Sequence, residues 1–195
     1  MKGWERGALR AMEFVAQPAL AGAAFCLLAL GVITWLPALA AAGSALQDWR
    51  SEGDGRSFTG TLRAFPRLWR ALWREGLVAT AVLAVLTLNC LFLLDTRSAT
   101  GLLLFPVQVG LMAATAVYAL SLAAVCAVGT DAAPRRGAAV LAFGSPRRTV
   151  VLLLVAVLAP FAVLPIPLGP LLLGPTLPLL LALSLLTPAA SRRPV

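Results

Sequence analysis

Three polar side chains stand where the chain otherwise carries no charge: Asn89, Gln108 and Tyr118 lie inside long apolar stretches. An amide or phenol removed from water needs a replacement partner, either on a neighbouring helix or on a bound molecule. Should the three converge, their donors and acceptors suit a sugar or another neutral solute; scattered, they serve as hydrogen-bonding glue between helices. A second group is Arg63, Arg67, Arg70 and Arg74, a stripe at helical spacing beside Phe58, Leu62, Phe65, Trp69 and Leu72. Such a surface places arginine stems along an acyl boundary and guanidinium groups among lipid phosphates, or offers an amphipathic face to a partner groove.

The parts of an active site are missing. There is no histidine, which removes the commonest general base and metal ligand. Cys26, Cys90 and Cys126 are isolated within apolar runs, without pairable or metal-ligand spacing. Gly53-Asp54-Gly55 lacks the lysine and longer glycine pattern of a phosphate loop and reads as a turn. No catalytic residue, cofactor or metal is therefore expected, and the absence of Asp, Glu, Lys and Arg from the apolar stretches argues against a proton-coupled pump.

Four windows are free of charge: residues 14–47, 76–94, 98–130 and 149–191. Each exceeds the roughly 18 apolar residues that cross a hydrocarbon core about 30 Å thick. With 195 residues, 60% of them hydrophobic, the expectation is an all-α polytopic transmembrane bundle. The last window is long enough to cross twice. Pro165, Pro167, Gly169 and Pro170 supply its break, giving helices near 149–164 and 171–187. In the first window Pro37 suits the opening turn of a short second helix ending near Trp49.

Charge arbitrates the count. Basic residues fall at the N-terminus, between Arg50 and Arg74, at Arg97, at Arg135, Arg136, Arg147 and Arg148, and at Arg192 and Arg193. Six crossings, the second short, place every group but Arg97 on the cytoplasmic side, as the positive-inside bias prefers; five with an external N-terminus is the alternative. Residues 1–13 then form a cytoplasmic interfacial segment, 14–190 one transmembrane domain with a cytoplasmic amphipathic segment at 50–75, and 191–195 a cytoplasmic tail. Within 50–75, Pro66 is expected to kink or restart the helix. Ala38-Leu39-Ala40 imitates a cleavage site, but a signal-peptide reading leaves an overlong apolar region and untethers the arginine segment. The net charge of +8 lies between apolar runs, where membrane lipids rather than nucleic acid are the expected partner.

Ala38, Ala41, Ala42 and Ala45 give the second helix a small-residue face for close packing. The run Leu30-Gly31-Val32-Ile33-Thr34-Trp35-Leu36-Pro37-Ala38-Leu39-Ala40-Ala41, followed by an arginine-ended helix, a short charged loop and then Phe58 and Phe65, resembles the YesL family of bacterial membrane proteins. The likeness covers roughly residues 14–95. It departs at Leu36, where that family often has glycine, and in a first span without asparagine. The resemblance implies a protein of the bacterial cytoplasmic membrane without catalytic residues, and an accessory role beside subunits of a carbohydrate ABC transporter. The polar groups in the spans imply instead a small facilitator or permease for a neutral solute.

Overall fold

A computed structural model describes residues 3–53, 55–96, 99–129, 133–165 and 168–190, and every regular element within them is helical. The order is α1 (Gly3–Leu28), α2 (Trp35–Glu52), α3 (Ser57–Thr96), α4 (Ala99–Val128), α5 (Pro134–Phe143), α6 (Pro146–Ala162), α7 (Gly169–Leu172) and α8 (Thr176–Ala190). The side chains expected on the faces of residues 1–11, the Arg97 connection and the tail 191–195 lie outside the described residues.

The first charge-free window folds into a hairpin, because the Thr34-Trp35-Leu36-Pro37 interruption ends one helix and opens the next. Thr34 turns its hydroxyl back to the Leu28 carbonyl, satisfying an acceptor that the end of α1 leaves open. The Trp35 indole N–H donates to the Thr80 hydroxyl at 2.9 Å, and that hydroxyl donates to the Val32 carbonyl at 3.2 Å, so the turn is fastened to α3. At the opposite end the rings of Phe14 and Trp49 lie 5.8 Å apart, which brings both ends of the window together. Gly53 then stops α2 in the left-handed region, at φ +72°, with its N–H on the Trp49 carbonyl.

Residues 36–46 of α2 are buried on every side. The sequence indicated one small-residue face; the structure uses the whole circumference. A Cβ on Gly43 would lie 2.9 Å from the Ala127 side chain and 3.4 Å from Leu179, and one on Gly60 of α3 would lie 3.2 Å from Ala45 Cβ. Alanine, glycine and serine thus let α3, α4 and α8 close on one central rod, where packing contacts rather than water exclusion hold helices together in lipid.

Among the described residues three helices are long and apolar enough to cross a membrane, on α3, α4 and α7–α8, or four if α5 and α6 form one span bent by 90°. Length and composition thus support three or four of the six crossings expected from charge. The apolar part of α1, Phe14–Leu28, is shorter than a usual span, and α2 is enclosed by protein. Nor is the amphipathic segment separate. α3 is one helix of 40 residues, about 60 Å long and twice the hydrocarbon thickness, and it continues through Pro66. Buried Ser57 and Thr61 before the proline, and Leu68 and Leu72 after it, tie both sides of α3 to the bundle. α5 lies in what the sequence left as a basic connection; Pro134 at its first turn was the available signal.

Candidate functional site

The face of α3 formed by Glu75, Val78, Ala79 and Val82 opposes Leu111, Ala114, Thr115 and Tyr118 of α4 across a cleft of about 310 Å³. These positions recur every three or four residues, so each helix offers a continuous stripe. Ala119 and Leu122 of α4, Leu36 of α2 and Phe143 of α5 complete the lining. Arg135, at the start of α5, donates through Nε to Glu75 Oε1 at 2.9 Å, and the ion pair fastens α5 beside the cleft. Thr115 spends its hydroxyl on the Leu111 carbonyl at 2.8 Å. The remaining wall is apolar, so the cleft suits an apolar or amphipathic guest better than a polyol.

Of the three polar residues singled out by sequence, only Tyr118 lines this cleft. Asn89 is exposed, fourteen positions beyond Glu75 and about 21 Å farther along α3. Gln108 lies ten positions before Tyr118, about 15 Å along α4, with Oε1 buried and without a hydrogen-bond partner among the described residues. The three do not meet. Glu75 and Arg135 were missed because 60 residues separate them; the one available signal was the position of Glu75 at the edge of an uncharged window.

Arg63, Arg67, Arg70 and Arg74 are all exposed, and none forms an ion pair among the described residues. Phe65 and Trp69 stack at 6.0 Å, and the Arg74 guanidinium sits 5.3 Å from the Trp73 ring centre. The helix therefore presents cations on a partly aromatic surface. Immediately beyond, the chemistry inverts: Val78, Val82, Val85, Leu88, Leu91 and Phe92 are exposed, and of positions 77–95 only Cys90 is buried. Cys90 meets Met112 of α4 at 3.9 Å, so this half of α3 runs beside α4. α2, by contrast, lies along the arginine-bearing half, where Gly76 approaches the Ile33 carbonyl and Gly60 approaches Ala45.

No family model, curated protein or solved structure matches this chain.

Proposed function

We propose that this is a multi-pass protein of the bacterial cytoplasmic membrane that docks the arginine face of α3 onto a partner and catalyses no reaction. The observation that carries the reading is the two-part character of one unbroken helix, with four exposed arginines in one half and an uncharged apolar window, unburied but for Cys90, in the other. Lipid is the natural solvent for the second half; the first continues the same rod, with Arg74 next to the headgroups and Arg63 about 16 Å farther along the axis. The YesL likeness supplies the partner class, a subunit of a carbohydrate ABC transporter. The α1–α2 hairpin supports a cytoplasmic N-terminus, since it returns the chain to its starting side whether or not it reaches the far leaflet. Four further passes by α3, α4, α6 and α7–α8, with α5 and the arginines at both of its ends on the inner surface, then keep the sidedness of the six-crossing arrangement, with every basic group but Arg97 inside. The scattered positions of Asn89, Gln108 and Tyr118 leave the facilitator reading without a shared polar cavity.

Purification in mild detergent tests this. Transporter subunits are expected to co-purify with the full chain and to be lost when Arg63, Arg67, Arg70 and Arg74 are changed together to Gln. An intact wild-type protein that retains no such subunit refutes the docking role, and a product that stays dissolved without detergent refutes the membrane reading as well.

A further inference from the structure

A second and larger groove, of about 570 Å³, opens on another side of the bundle from the Glu75 cleft. One wall is a stripe of α6 at positions 154, 155, 158, 159 and 162, and the other is a stripe of α8 at 177, 180, 181 and 184. Both stripes keep three- and four-residue spacing, so the walls run on for about 12 Å, hydrocarbon except at Ser184. That is the shape of an extended chain, and the volume falls within the roughly 300–1,000 Å³ of small-molecule sites. The remaining lining is Phe14, Trp49 and Arg50, from the start of the apolar part of α1 and the end of α2.

Among the described residues Arg50 is the only charged group on the groove. It is exposed and has no ion-pair partner among the described residues. Asp48 and Glu52 are two positions away on the same helix and so project from other faces. Besides Arg50, the polar side-chain atoms on the lining are the Trp49 indole N–H and the Ser184 hydroxyl. An apolar trough with one unpaired guanidinium is complementary to an anionic amphiphile, because arginine binds phosphate through paired donors while the trough takes the hydrocarbon.

We propose that the groove between α6 and α8 binds one acyl chain of an anionic phospholipid, with the lipid phosphate on Arg50. The inference rests on the reading that lipid surrounds these helices, but not on docking to a transporter.

Trp49 is a built-in reporter. The full chain in detergent micelles is titrated with phosphatidylglycerol brominated on its acyl chains, and the quenching that disappears in Trp49→Phe is taken as the groove signal. The expected result is saturable quenching, with phosphatidylglycerol favoured over equally brominated phosphatidylcholine by about fivefold, the effect of one arginine at an anionic surface. Arg50→Gln should abolish that preference and Arg50→Lys should keep part of it. Leu158→Trp, read with Trp49 fluorescence corrected against the Leu158→Trp/Trp49→Phe double variant, should block saturation by filling the trough. Equal quenching by the two lipids, an unchanged preference in folded Arg50→Gln, or saturation only by brominated free fatty acid would overturn the assignment. Each of those outcomes leaves the membrane reading standing, whereas a chain that is soluble without detergent removes both.

Discussion

Gly76 marks the point on α3 where arginine gives way to hydrocarbon, and its missing side chain has a visible use. A Cβ there would lie 2.6 Å from the Ile33 carbonyl and 3.5 Å from Pro37 Cδ, so the α1–α2 turn could not sit against α3. Because the obstacle is backbone, Gly76→Val should destabilise the bundle by about 1–3 kcal/mol, the usual range for overpacking, seen as a lower unfolding midpoint in detergent. An unchanged midpoint would mean that the turn does not rest there. The Glu75–Arg135 pair, one position away, is a different case. Arg135 is 75% exposed, so the pair orients α5 and adds less than about 1 kcal/mol.

At the level of elements, the amphipathic pattern of residues 58–74 was legible because its spacing is set locally, whereas its continuation into the next window was not. Proline removes a donor and crowds the preceding turn, and from sequence that reads as a break at Pro66. The bundle overrides it through Leu68 and Leu72, which bury on the far side of the proline. Replacing an exposed proline inside an intact helix by a better helix former should stabilise it, so Pro66→Ala is expected to raise the unfolding midpoint, with an upper bound of about 3 kcal/mol. A lower midpoint would mean that the chain needs the proline's break. The same helix explains why Arg63, Arg67, Arg70 and Arg74 suit a docking role: a rigid rod holds them at a fixed height above the apolar half.

For the whole molecule, the sidedness argued from arginine placement predicts that reporter fusions at Arg63 and Arg136 give the same cytoplasmic signal, and that a fusion near Arg97 gives the opposite one. Opposite signals from the first two would sink the arrangement of spans. Helical class, the four uncharged windows, the hairpin break at Thr34 to Pro37 and the turn between α6 and α8 were all determined by sequence, since each follows from local composition and backbone chemistry. Only the tertiary structure decided that α2 is an enclosed rod, that Asn89, Gln108 and Tyr118 lie apart, and that Arg50 joins α6 and α8 around one groove. Those are facts about which faces meet across long separations, and an alanine-rich helix in a largely apolar chain carries no pattern that chooses among its possible neighbours.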